Sequence, residues 1–259
     1  MTIRLSANLG FLWADRPLLE RVDAAAAAGF PAVEMHWPYD VPAAELRARV
    51  ERHRLILLGL NTPLGNLPGD FGIGAVPGRE AEFAAGFAQA LAYAREAGAG
   101  AIHVMAGCVP KEERARGRLT LIDNLRRIAP VAAAAGITIL LEPINRHDKP
   151  DYLYDDVDDA AAIIAAVGHA AVSLMFDVYH VGMTGGDAFA LFDRHLPLIG
   201  HVQVAAVPSR AEPDEGSSLD YAAMFRHIAR SGYRGWVGCE YRPRAGTDEG
   251  LGWRAMLGA

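Results

Sequence analysis

Lysine is almost missing from this 259-residue chain: Lys111 and Lys149 are the only two among 25 basic residues, and neither lies in a strand-like run. A Schiff-base mechanism, which wants a desolvated lysine, is therefore disfavoured. Cysteine is equally scarce. Cys108 and Cys239 are too few for a disulfide framework and suit a reducing compartment, so a cytoplasmic location is expected. Positive charge is not in excess either. Lys+Arg 25 against Asp+Glu 31 leaves −6, which argues against a grip on a nucleic-acid backbone. The start, Met1-Thr2-Ile3-Arg4-Leu5-Ser6-Ala7-Asn8, has no apolar stretch or small-residue cleavage site of an export signal. The longest apolar runs are Ala-rich, broken by glycine and far short of the ~20 residues that a membrane span needs, so no membrane partner is expected.

What is present is ample core material, 51% hydrophobic side chains against 22% charged, arranged as one alternating series. Short β-branched or Leu-rich runs predict strands over Ile3–Asn8, Ala32–Trp37, Leu55–Asn61, Ala101–Met105, Ile137–Glu142, Val172–Asp177, Leu198–Val204 and Gly235–Tyr241. Each is followed by an amphipathic, Ala/Arg-rich stretch, from Pro17–Ala28 through Leu219–Arg230 to a last helix starting near Asp248. Glycines such as Gly98 and Gly168 stand where the helices must stop. Eight such pairs without a linker predict a single (β/α)8 TIM barrel domain over 1–259. A doubly wound open sheet would want Gly-x-Gly-x-x-Gly after the first strand, and Asn8-Leu9-Gly10-Phe11-Leu12-Trp13 does not supply it. Two connections after strands, Thr62–Gly78 and Val207–Ser218, are too long to be mere turns and fall on the face where barrel enzymes work.

The informative pattern lies in the second half. The fifth, sixth and eighth strands end in Glu142, Asp177 and Glu240, and the seventh carries Gln203. Like charges gathered at one mouth would force protonation unless a cation is present. All four donors are oxygens, which favours a hard ion, Mg2+ or Mn2+ before Zn2+. Any one of these acids alone would equally suit a helix cap; four together point to a metal. Arg210, seven residues past Gln203, is a natural anchor for a substrate carboxylate because its fork matches the two oxygens, the bland alternative being an ion pair with Glu212. His180, three residues past Asp177, and Asp148, six past Glu142, are candidate substrate contacts, with a structural histidine and a solvated loop acid as the alternatives. His36 and His103 sit inside apolar runs and read as core histidines; Trp13, Trp37 and Tyr39 lie at or beyond strand ends and either wall the pocket or pack under loops. Cys239 alternates away from Glu240 and reads as core, and Trp253 and Met256 suit core or subunit packing, which leaves a homo-oligomer open.

At these residues the chain closely resembles the hydroxypyruvate isomerase family, within the xylose-isomerase-like barrels. The resemblance runs through Ser6-Ala7-Asn8, Pro38-Tyr39-Asp40, Asn61-Thr62-Pro63, Val76-Pro77-Gly78-Arg79-Glu80, Glu142-Pro143-Ile144-Asn145, Asp177-Val178-Tyr179-His180, Gly200-His201-Val202-Gln203 and Gly235-Trp236-Val237-Gly238-Cys239-Glu240-Tyr241. It implies a divalent metal held by Glu142, Asp177, Gln203 and Glu240, with Glu142 and Glu240 also the proton-transfer pair. The implied reaction interconverts 3-hydroxypyruvate and 2-hydroxy-3-oxopropanoate through an enediolate, with His180, Arg210 and Asp148 around a small hydroxy-oxo acid. Two loops depart from the family pattern. Asp214-Glu215-Gly216-Ser217-Ser218 replaces a glycine-rich end, and Leu64, Asn66 and Leu67 replace the residues usual after the third strand. Both face substrate, so an isomerase or 3-epimerase of a related 2-oxo sugar acid (such as 2-oxo-tetronate) or ketose is the alternative.

Overall fold

A computed structural model describes residues 3–258; Met1, Thr2 and Ala259, at the ends of the stretch read above, lie outside the described residues. The strands are β1 (Leu5–Asn8), β2 (Ala32–Glu34), β3 (Ile56–Leu57), β4 (Gly59–Asn61), β5 (Ala101–His103), β6 (Thr138–Leu141), β7 (Val172–Asp177), β8 (Ile199–Val204) and β9 (Val237–Cys239). All pair in parallel, in the order β3-β2-β1-β9-β8-β7-β6-β5-β4. The ninth strand is no departure from an eightfold barrel. β3 and β4 are two halves of one predicted strand, parted at Leu58, and this strand closes the barrel because Leu58 N–H donates to Val33 and Met35 N–H to the Gly59 carbonyl.

The principal helices are α1 (Leu18–Ala27), α2 (Ala43–Arg52), α3 (Glu80–Ala97), α4 (Arg114–Ala134), α5 (Val157–Val167), α6 (Val178–Met183), α7 (Ala188–His195), α8 (Tyr221–Arg230) and α9 (Thr247–Gly250). Four begin on an aspartate whose carboxylate accepts backbone N–H groups of the first turn: Asp156, Asp177, Asp187 and Asp220. The stops at Gly98 and Gly168 are left-handed, at φ 82° and 68°, a conformation only glycine adopts without strain. The sequence pattern missed α6, a single short helix opened by Asp177. The last helix, expected from near Asp248, starts at Thr247 and continues after Gly250 as a 3₁₀ helix over Leu251–Gly258. No helix among the described residues is long and apolar enough to cross a membrane.

The alternation of side chains decides where the core sits. On β7, Val172, Leu174 and Phe176 are buried on the helix side, where Phe176 meets Phe192 of α7 edge-on at 5.5 Å between ring centres. Cys239 is fully buried in the same layer, as its alternation from Glu240 predicts. The opposite faces of the strands point into the barrel and carry Ser6, Glu34, Gln203 and Thr138 among apolar residues such as Leu140 and Met175. The main hydrophobic core is thus the shell between sheet and helices, and the barrel interior carries a polar network among apolar side chains. Phe176→Ala, which hollows this shell one residue from Asp177, is expected to lower unfolding free energy by about 3–5 kcal/mol, read from the denaturant midpoint.

Candidate functional site

A cavity of about 230 Å³ runs through the barrel, from Ala101, Thr138 and Gly200 at the strand starts to Glu142, Gln203, Glu240, His36 and His103 toward their C-terminal ends. Asp177 stands beside it, paired in register with Gln203 across β7 and β8. Each predicted site residue is therefore brought to one mouth. Glu142, Asp177 and His180 place one potential ligand atom each within 4.8 Å of one another, and all three are buried.

The free oxygens are the telling feature. Asp177 uses Oδ1 to accept the Tyr179 N–H at 2.8 Å and so does cap α6, as the bland reading of a strand-end acid requires; its Oδ2 makes no hydrogen bond, with His180 Nε2 3.6 Å away. Gln203 donates Nε2 to Glu34 at 2.8 Å, which leaves its Oε1 buried and unpartnered. Glu142 Oε1 is likewise buried without a hydrogen bond, its nearest cationic candidate being His180 Nε2 at 3.5 Å. A native interior rarely leaves such acceptors bare. Three of them on adjacent strands, all oxygen, fit a hard divalent cation in number and in donor chemistry.

Electrostatics tell the same story. Burial, reinforced by the charges of Glu240 and Asp177, pushes Glu142 well above the usual carboxylate range. Asp177 is pushed up to about 7 by burial and by Glu240. Glu240 goes the other way: burial would raise it, but its hydrogen bond to His36 at 2.8 Å and the Arg210 charge hold it below its ordinary value. Its Oε1 also takes the Asn8 amide at 3.1 Å, and its Oε2 faces Arg210 at 3.3 Å.

His180 groups with Glu142 and Asp177 by distance, yet its hydrogen bonds assign it a different part. Nδ1 accepts the Asn145 backbone N–H at 3.2 Å and faces the Asn145 side-chain amide at 2.6 Å, so the ring proton resides on Nε2. Burial, with Arg210 and His103 nearby, drives its pKa well below the ordinary value. A neutral imidazole holding Nε2–H toward the carboxylates is a hydrogen-bond donor to an incoming oxygen rather than a metal ligand.

Arg210 does not pair with Glu212. It reaches Asp148 at 2.8 Å and Glu240 at 3.3 Å, with its guanidinium 4.9 Å from the ring centres of both Phe11 and Tyr179. Asp148 also accepts the Tyr179 hydroxyl at 3.2 Å, so this loop acid helps to aim the arginine. Arg210 takes φ +55°, and its carbonyl accepts the Arg242 N–H at 2.7 Å. Glu212, two residues on, is buried and faces Arg244, whose Nε lies 3.0 Å from Oε2 and whose backbone N–H reaches Oε1 at 3.2 Å.

Two histidines read as core from the sequence belong to the site instead. His36 holds Glu240, and His103 Nδ1 stands 3.5 Å from Glu142 Oε2, with its own pKa pushed down to about 4 chiefly by burial. Glu34 was not singled out, and Asn8 and His201 entered only as members of family-like blocks, although Val33-Glu34-Met35-His36 and Ile102-His103-Val104 alternate apolar and polar and so aim the polar members at one face. Of the aromatic candidates, Trp37 packs beside His36 at 5.2 Å, whereas Trp13 is buried under the Thr247–Asp248 turn through its backbone and indole N–H groups.

With this geometry in hand, comparison with known proteins is direct. Residues 22–256 match the model of the xylose isomerase-like TIM barrel family. The chain belongs to that family. Among this family's members, it is 46% identical over 252 residues to the 2-oxo-tetronate isomerase of Cupriavidus necator, covering 96% of each chain. It is 36% identical over 253 residues to the hydroxypyruvate isomerase of Escherichia coli, covering 97% of this chain and 98% of that one. The crystal structure of a protein from Brucella melitensis described as an AP endonuclease, family 2, superposes with a TM-score of 0.94 at 38% identity, covering 98% of both chains.

Arg210 is carried by the 207–218 loop, in which Glu212 is anchored to Arg244. Glu212→Ala removes the acceptor that ties this loop to Arg244. It is expected to speed amide exchange across 207–218 by at least ~10-fold while the barrel strands exchange as before, measured by hydrogen-exchange mass spectrometry.

Proposed function

We propose that the chain is an isomerase of a short 3-hydroxy-2-oxo acid that moves the carbonyl from C2 to C3, with 3-hydroxypyruvate to 2-hydroxy-3-oxopropanoate as the simplest case. The observation that carries this reading is the set of buried oxygens without hydrogen bonds on Glu142, Asp177 and Gln203; Glu142 and Gln203 share one cavity with Glu240, and Arg210 lies 3.3 Å from Glu240. Relatives named hydroxypyruvate isomerase and 2-oxo-tetronate isomerase along nearly the whole chain support the isomerase class.

In this reading Glu142, Asp177, Gln203 and Glu240 hold Mg2+ or Mn2+, which supplies positive charge against the oxyanion that develops on the substrate. Arg210, aimed by Asp148 and Tyr179, binds the carboxylate in a two-pronged grip. Glu142 and Glu240 come from β6 and β9, three places apart in the sheet order, so they address the substrate from different sides of the mouth. One takes the proton from C3, leaving an enediolate, and the other returns a proton to C2. The hydroxyl proton must pass from O3 to O2 in the same turnover. The Nε2–H of neutral His180 is the group placed to exchange it.

A four-carbon 2-oxo-tetronate differs only by a CH2OH on C3 and would use the same groups. The higher identity to the Cupriavidus necator relative, together with the altered residues Leu64–Leu67 and Asp214–Ser218, favours it as the second reading. A nuclease of the same barrel class would need a His-rich multi-zinc cluster and a basic groove. Among the described residues the one group of three potential ligand atoms is Glu142, Asp177 and His180, and the chain's charge is −6.

The test is a turnover panel of 3-hydroxypyruvate, 2-oxo-tetronate and four- and six-carbon ketoses, run before chelation, after it, and after repletion with Mg2+ or Mn2+. Activity should vanish on chelation and return with metal, and Glu240→Gln or Glu142→Gln should lower kcat by ~10²–10⁴-fold. Full turnover in chelator, or in Glu240→Gln, would overturn the assignment. Arg210→Met should raise KM for the acids far more than for any ketose that is turned over, because only the acids lose a carboxylate partner.

A further inference from the structure

Beneath the mouth lies a second layer of polar groups that the reaction does not touch. Glu34 sits at its centre, 5% exposed, at the end of β2. Its Oε2 accepts Ser6 Oγ at 2.8 Å and faces His201 Nε2 at 2.7 Å; its Oε1 accepts Gln203 Nε2 at 2.8 Å and Asn8 Nδ2 at 3.1 Å. Two of these partners are on the adjacent strand β1 and two are on β8, beyond β9 in the sheet order. The carboxylate reaches past β9 because the residue there is Gly238; a Cβ at that position would come within 2.5 Å of Glu34 Oε1.

Resting on the metal-site reading above, we propose that Glu34 is a positioning residue that orients two of the four cation ligands, Gln203 directly and Glu240 through Asn8. An amide has one donating and one accepting end, and rotation by half a turn exchanges them. A carboxylate accepts only, so Glu34 claims the Gln203 NH2 and turns Oε1 toward the mouth, where it is buried without a partner. Asn8 is fixed in the same way. Its Oδ1 accepts the Gly10 N–H at 2.9 Å, and its NH2 is shared between Glu34 Oε1 and Glu240 Oε1 at 3.1 Å each. A glutamine at position 34 would offer a donor as well as an acceptor, and the Gln203 amide would lose the reason to keep its oxygen facing the cation. Partners of this kind, one shell behind the ligands, typically govern metal affinity by 10–100-fold.

The test measures Mn2+ affinity of the full chain by competition with a chromophoric chelator, alongside thermal melting. Glu34→Gln should bind Mn2+ ~10–100-fold more weakly than the parent, with a native circular-dichroism spectrum. Gly238→Ala leaves every titratable group in place and pushes the Glu34 carboxylate aside, so it should weaken Mn2+ in the same direction and carries the test if Glu34→Gln does not fold. A buried pair of merely structural use would lower the melting temperature and leave affinity untouched. Parental Mn2+ affinity in either folded variant overturns the inference while the site reading stands; a parent chain that binds no Mn2+ overturns both.

Discussion

The site depends on an electrostatic conflict. Glu34, Glu142, Asp177 and Glu240 are all at most 5% exposed and share one end of one barrel, where water cannot screen them. Charges so confined must find donors, pick up protons or hold a cation. Two of the four find donors: Glu34 takes Ser6, Asn8, His201 and Gln203, and Glu240 takes Asn8, His36 and Arg210. The other two are left short, Asp177 with only the Tyr179 N–H. Glu142 and Asp177 each keep an oxygen without a partner and are pushed toward the protonated form, the condition that a divalent cation would relieve.

The fold makes that conflict affordable by moving the hydrophobic core outward. Apolar residues on one face of each strand meet the helices, as Phe176 meets Phe192, so the interior of the barrel can hold a polar network among its apolar residues without forfeiting most of the buried apolar area. Interior glycines matter to this arrangement at Gly238, where any side chain would collide with Glu34. Rigidity comes from strand ends and loops working together. Asp177 ends β7 and opens α6 with one oxygen while presenting the other, and the Asp148–Arg210–Tyr179 contacts tie two loops across the mouth.

Much of this was legible in the order of residues. The alternation of short apolar runs with amphipathic stretches located every barrel strand, and the acids at the ends of the late strands marked Glu142, Asp177 and Glu240 because a polar residue closing an apolar run faces solvent or a site. The early strands were harder. His36 and His103 are flanked by apolar residues on both sides, and hydrophobic context reads them as core unless the two faces of the strand are separated. Glu34 escaped notice for the same reason. It closes β2, but Met35 continues the apolar run past it, and its partners on β1 and β8 are 26 to 169 residues away in the chain.

Local sequence thus determined what each segment could become: which stretches extend, which coil, where an aspartate opens a helix, and which strands end in an oxygen donor. Those are properties of a residue and its near neighbours. Tertiary structure alone decided which of those donors share partners. Whether Arg210 pairs with Glu212 or with Glu240, whether the proton of His180 lies on Nδ1 or Nε2, and which end of the Gln203 amide faces the mouth are settled by groups that meet only when the barrel closes. The reason is the short reach of a hydrogen bond. A contact near 3 Å between strands far apart in sequence is invisible to spacing and becomes specific only after the sheet has set its register.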